Sequence, residues 1–173
     1  MLEIGMICAE AGEKIARVSA NMAMAADMEV RASSTATTGA YSSACQRGLP
    51  AILMERGGGG RFTDSEVQAY KRDVKNIMIR MGLLSGEEVH TVQQKNVTRA
   101  EYLEAETDGL WYPVFSAGDT FAGGAVLGTV RDIWGNLLRE YRADYPGIIL
   151  YQTVGLGVKA GDPLIAYGEY VDR

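Results

Sequence analysis

The sequence contains a single histidine, His90, and only two cysteines, Cys8 and Cys45, in 173 residues. A zinc site takes three or four protein ligands, usually including His or Cys, so one of ordinary type cannot be assembled around this lone histidine. His90 sits in a polar stretch beside Glu87 and Glu88 and reads as a surface residue. The cysteines form no C-x-x-C pair; both read as small buried hydrophobes in a reducing cytoplasm. No apolar run reaches about eighteen residues, so no membrane-spanning helix is expected. The start, MLEIGMICAEAGEK, carries acids and no basic n-region, and does not read as a signal peptide. Without one, the Asn96-Val97-Thr98 sequon reads as chance. Positive charge is not in excess either. The net charge of −5 argues against nucleic acid or an anionic membrane as partner. No G-x-S-x-G elbow occurs, and Arg61-Phe62 follows the glycines where a phosphate loop would need Lys and Ser or Thr.

What is present is an ordinary globular composition, 47% hydrophobic and 23% charged, with 21 glycines. Such a chain suits one domain or two small ones. Residues 9–28 mix Ala, Met and charges and read as helix, with a possible short strand at 29–32. A second helix is expected over about 39–47, because Gly48 supplies a left-handed end and Pro50 prevents continuation. Ala51 to Glu55 then reads as a short buried strand, and the helix–turn–strand order suggests an α/β layer. Thr63-Asp64-Ser65-Glu66 matches a capping box. Behind it Val67, Tyr70, Val74, Ile77 and Met81 mark one apolar helical face over about 63–82, with Lys71, Arg72, Asp73 and Lys75 mainly opposite.

Residues 85–96 (SGEEVHTVQQKN) are polar and read as a linker between an α/β portion, 1–84, and a β-rich domain, 97–173. In the latter, short apolar runs alternate with glycine-rich turns, and Ala117-Gly118-Asp119 is repeated as Ala160-Gly161-Asp162. The pattern predicts a small barrel or sandwich. Such turns are similar to those of lipoyl or biotinyl domains. The corresponding tip, RDIWGN (131–136), contains no Lys, and Lys159 lies beside a turn, so no swinging cofactor is expected.

The candidate for chemistry is Glu55, a carboxylate at the end of an apolar strand, followed by Arg56 and Gly57 to Gly60. Burial could raise its pKa and make it a general base or acid, with glycines leaving room for substrate. The alternative is a solvated acid at a strand end followed by a disordered loop. An anion at the free N–H groups of the next helix is a further reading of the glycine run.

RGLPAILMERGGGG (47–60) resembles the G-x-P-A-x-x-x-E-x-G segment of the succinylglutamate desuccinylase/aspartoacylase family, zinc-dependent deacylases related to zinc carboxypeptidases. IMIRMGLL (77–84) is similar to the family's N-(V/I)-L-x-x-L-G-(M/L)-L. GLWYPVFSAGDTFAGGAVLGTVRDIWGN and GIILYQTVGLGVKAGDPLIAYGE resemble its C-terminal β-domain. The resemblance spans roughly residues 35–170 and implies a partial zinc-carboxypeptidase-like α/β portion followed by the β-domain. It implies that Glu55 stands at the catalytic glutamate, which activates a zinc-bound water and then protonates the leaving amine of a small N-acyl amino acid.

The family's zinc ligands, a His-x-x-Glu pair and a later His, precede that glutamate, whereas this chain has no His before residue 90. The family's upstream substrate-binding Arg and Asn segment has no counterpart either. The expectation is therefore a C-terminal half without metal ligands, inactive alone: a truncated product, a fragment, or one part of a split enzyme. Alternatively it is a binding or assembly module. An incomplete α/β half should expose apolar surface, so self-association or a covering partner polypeptide is expected.

Overall fold

The computed structural model describes residues 4–8 and 12–172. The chain forms two compact units, one of residues 99–170 and one built mainly from the residues before them. No helix among the described residues is long and apolar enough to cross a membrane.

The first unit contains β1 (Ile4–Cys8), α1 (Glu13–Ala25), β2 (Val30–Ser34), α2 (Ala40–Gln46), β3 (Ile52–Glu55) and α3 (Asp64–Arg80), and the start of β4 (Lys95–Glu104). Its strands lie in the order β3-β1-β2-β4. β1, β2 and β4 are parallel, while β3 runs antiparallel to β1 with Met54 opposite Gly5 and Glu55 opposite Ile4. The sequence reading assigns no element to residues 1–8, and β1 is an addition to it. Residues 9–11 of the expected first helix lie outside the described residues, as does the side chain of Cys8.

α2 ends as its sequence requires: Gly48 has φ of +84°, and the N–H groups of Gly48 and Leu49 bond to the carbonyls of Cys45 and Ala44. β3 is half-buried where a buried strand is expected. Among the described residues it has one neighbour, β1, because it stands at the end of the strand order. Its N-terminal approach is tethered, since Ala51 N–H donates to Ser19 Oγ at 3.1 Å and the buried Cys45 Sγ lies 3.5 Å from Ala51 O.

α3 starts at the expected capping box, with both reciprocal bonds between Thr63 and Glu66 formed. Its buried face differs from the one the apolar spacing predicts. Ala69, Asp73 and Asn76 are buried, whereas Val74 and Met81 are exposed. The reason is polar pairing: Asp73 meets Arg56, and the Asn76 amide bonds both ways with the backbone of Val89, at 2.8 and 3.0 Å. Hydrogen-bonded polar groups can be buried where an apolarity count places solvent. The same bonds hold the polar segment 85–96 against α3 and α1, with Gln94 Nε2 donating to Ala23 O at 3.2 Å.

The second unit comprises the rest of β4 together with β5 (Gly109–Pro113), β6 (Thr120–Phe121), β7 (Val126–Arg131), β8 (Leu137–Arg142), β9 (Gly147–Gln152), β10 (Gly157–Val158) and all but the end of β11 (Pro163–Asp172). One sheet has the order β4-β11-β9-β6, the other β10-β5-β7-β8, so this is a pair of sheets with no closed barrel. Trp111, Leu127, Tyr141, Ile149, Leu164 and Tyr167 belong to its core. The Trp111 and Tyr141 rings meet edge to face, 5.7 Å apart at 80°.

The repeated Gly-Asp turns have one geometry. Gly118 and Gly161 have φ of +95° and +88°. The Asp119 and Asp162 carboxylates each accept a 2.8 Å bond from the backbone N–H three residues earlier, at Ser116 and Lys159. Gly128 in β7 lies under the Trp111 ring, where an added Cβ would overlap ring carbons. Gly128→Ala should therefore destabilise the protein by about 1–3 kcal/mol in urea denaturation, through overpacking; an unchanged midpoint would contradict this packing.

Candidate functional site

Glu55 ends β3 with its side chain exposed to solvent. Among the described residues the carboxylate has no hydrogen-bond or ion-pair partner. Its peptide neighbours are held firmly. The Tyr70 hydroxyl accepts from Arg56 N–H at 2.9 Å and donates to Met54 O at 3.1 Å, so it bridges the peptide groups on either side of Glu55.

Arg56 turns the other way, into the protein. Its side chain is 1% exposed and that of Asp73 is 0% exposed, and Nη2 stands 2.7 Å from Asp73 Oδ2. Nε donates to the same oxygen at 2.8 Å. Nη2 also donates to Asp27 O at 2.8 Å, and Asp27 N–H donates to Asp73 Oδ1 at 2.8 Å. Asp27 itself accepts from Thr91 Oγ1 at 2.6 Å, from the Thr91 and Val92 N–H groups at 2.7 and 3.1 Å, and from Arg72 Nε at 3.0 Å. Burial works against ionisation of Asp27, but these bonds and the Arg72 charge outweigh it and hold the carboxyl below its ordinary value.

The glycine run is an ordered turn, where a disordered loop is the expectation. Arg61 N–H donates to Gly58 O at 3.2 Å, and the two residues between, Gly59 and Gly60, have φ of +60° and +70°. Positive φ at both central positions is the signature of a tight hairpin turn of type I′. Gly57, at φ +75°, passes so close to Arg61 that an added Cβ would lie 3.0 Å from its carbonyl oxygen. The N-terminus of α3 is occupied by its own carboxylate, since Glu66 Oε2 accepts from Thr63 N–H at 2.6 Å. That disfavours an anion there.

His90 Nε2 is 3.0 Å from Glu88 Oε2, and Glu88 is also paired with Arg80. The Arg80 guanidinium holds the Glu88 carboxyl below its ordinary value. Among the described residues no group of three His, Cys, Asp or Glu could hold a metal ion. The donors among the described residues do not fit the zinc that the resemblance implies. Sequence reasoning singles out Glu55 and leaves out of the site Arg56, Tyr70, Asp73 and Asp27, whose bonds tie down its strand end. No spacing marks them, because their partners lie 14 to 65 residues apart.

No family model matches the sequence. It is 28% identical over 127 residues to an N-alpha-acetyl-L-2,4-diaminobutyric acid deacetylase of Halomonas elongata, across 70% of this chain and 37% of the relative. The product-bound ectoine utilization protein EutE (DoeB) from Ruegeria pomeroyi superposes with a TM-score of 0.84 at 20% identity, over 97% of this chain and 53% of that one. A succinylglutamatedesuccinylase/aspartoacylase from Rhodobacter sphaeroides gives 0.80 at 20%, over 99% and 54%. This is the succinylglutamate desuccinylase/aspartoacylase fold. The chain spans about half the length of the solved desuccinylase/aspartoacylase structures it matches.

Two outcomes check the buried network. Asp73→Ala should cost about 3–5 kcal/mol in urea denaturation, since it leaves the Arg56 charge buried without its carboxylate; a loss under ~1 kcal/mol would contradict the pairing. Asp27 has a folded pKa below its unfolded value of about 4, so its contribution is complete above that value and fades as pH falls through the folded one. The native chain should thus lose more stability than Asp27→Asn between about pH 6 and pH 3. Equal losses would show that Asp27 does not contribute in this way.

Proposed function

We propose that the chain is the glutamate-bearing, C-terminal half of an N-acyl amino acid deacylase, and that it hydrolyses amides only together with the zinc-bearing half of that fold. The observation that carries this reading is Glu55: an unpartnered, exposed carboxylate on a strand end whose flanking peptides are fixed by Tyr70. The fold and the 28% identity to a diaminobutyrate deacetylase point to the same chemistry. The substrate class is a small N-acyl amino acid, and the setting is the cytoplasm, where the buried Cys45 stays a free thiol.

In this role Glu55 accepts a proton from the attacking water and returns it to the leaving amine nitrogen. One positioned carboxylate can do both, because it is deprotonated before the attack and protonated after it. Alone, it faces a water whose pKa is that of bulk solvent and a carbonyl that nothing polarises. The purified chain should therefore bind far less than one zinc per molecule by elemental analysis and leave N-acetyl-diaminobutyrate and N-succinylglutamate intact. Stoichiometric zinc together with hydrolysis would overturn this reading.

A second reading, a non-catalytic assembly module, is favoured by an open depression of about 520 Å³ between α2 and β3, lined by Tyr41, Ala44, Ile52 and Leu53 among others. It predicts self-association of the purified chain; a monomer in light scattering counts against it.

A further inference from the structure

We propose that Tyr70 is the positioning residue of Glu55. The inference rests on the proton-transfer role given to Glu55 above. In a strand, the C=O of one residue and the N–H of the residue two further on point to the same side. Met54 O and Arg56 N–H are such a pair, and a single hydroxyl engages both, at 3.1 and 2.9 Å. Tyr70 thereby takes the place that a residue of another strand would occupy beside Glu55. With the peptides on both sides held, the backbone angles of Glu55 are set, and so is the direction of its Cα–Cβ bond.

The helix that carries the hydroxyl supplies the second hold. Tyr70 and Asp73 are three residues apart on α3 and share a helix face. Asp73 grips Arg56, the residue after Glu55, and the Arg56 guanidinium lies 5.8 Å from the centre of the Tyr70 ring. Gly57 then turns the chain away. The Tyr70 proton is committed to Met54 O and the oxygen accepts from Arg56, so the hydroxyl acts on Glu55 through the backbone. A proton-transferring group misplaced by about 1 Å loses much of its rate, which is why such a hold matters.

The test is nuclear magnetic resonance of the full chain and its Tyr70→Phe variant, which keeps the ring and removes only the hydroxyl. In the unmodified chain the Arg56 amide should exchange with solvent more slowly than those of Gly59 and Gly60. In Tyr70→Phe its exchange should rise about fivefold or more, and the Glu55 backbone couplings, HN to Hα, should move to conformationally averaged values. Ala69→Gly, which weakens the same helix without touching the hydroxyl, should leave the Glu55 couplings unchanged. Equal rates for Arg56 and the glycines in the native chain would overturn the proposal. So would unaltered Glu55 couplings in Tyr70→Phe, or the same change in Ala69→Gly, which would make the effect merely structural. Failure of the proton-transfer reading would appear in hydrolysis and leave these spectra as described.

Discussion

The ion pair between Arg56 and Asp73 ties the end of β3 to the middle of α3, and the surrounding structure is arranged to keep it satisfied. Two charges taken out of water cost more than their attraction returns unless their remaining hydrogen-bonding groups are also met. Here they are: Arg56 reaches the Asp27 carbonyl, and the second Asp73 oxygen accepts the Asp27 amide. An apolar pair of similar size could hold the helix to the strand as well. What the ion pair adds is direction. It draws Arg56 inward on one side of Glu55, with the Tyr70 hydroxyl bridging both neighbouring peptides. The carboxylate between them is left on a fixed backbone and open to solvent.

The network also explains the glycines. Once Arg56 is buried, the chain must reverse within a few residues to start α3 at Thr63. Gly57, Gly59 and Gly60 supply three positive φ angles for that reversal, a region that costs other residues heavily. The glycines therefore serve the turn.

Much of the local structure was legible in the sequence. The Gly48 helix end, the short strand at 51–55, the capping box at Thr63 and the paired Gly-Asp turns each depend on residues within a few positions of one another. The illegible parts depend on distant partners. The buried face of α3 was misplaced because Asp73 and Asn76 are polar and are buried only through bonds to Arg56, Asp27 and Val89. β3 was expected to be buried because apolar content does not reveal that a strand stands at the end of its sheet order. Glu55 is singled out by its position in a motif, whereas Tyr70 and Arg56 are joined to it only by the folded chain.

The fold and the metal donors of this chain pull apart. Its neighbours include a deacetylase and a desuccinylase/aspartoacylase, yet the described residues bring together no metal-binding group. The proposed reconciliation is a site divided between two halves of the fold, with the carboxylate in this one. The most direct measurement is hydrolysis of an N-acetyl amino acid by this chain mixed with a separate polypeptide that carries a His-x-x-Glu motif and zinc. The mixture should hydrolyse it and neither part alone should, and the rate should fall about 10²–10⁴-fold with Glu55→Gln. Undiminished hydrolysis with Glu55→Gln would contradict the divided site.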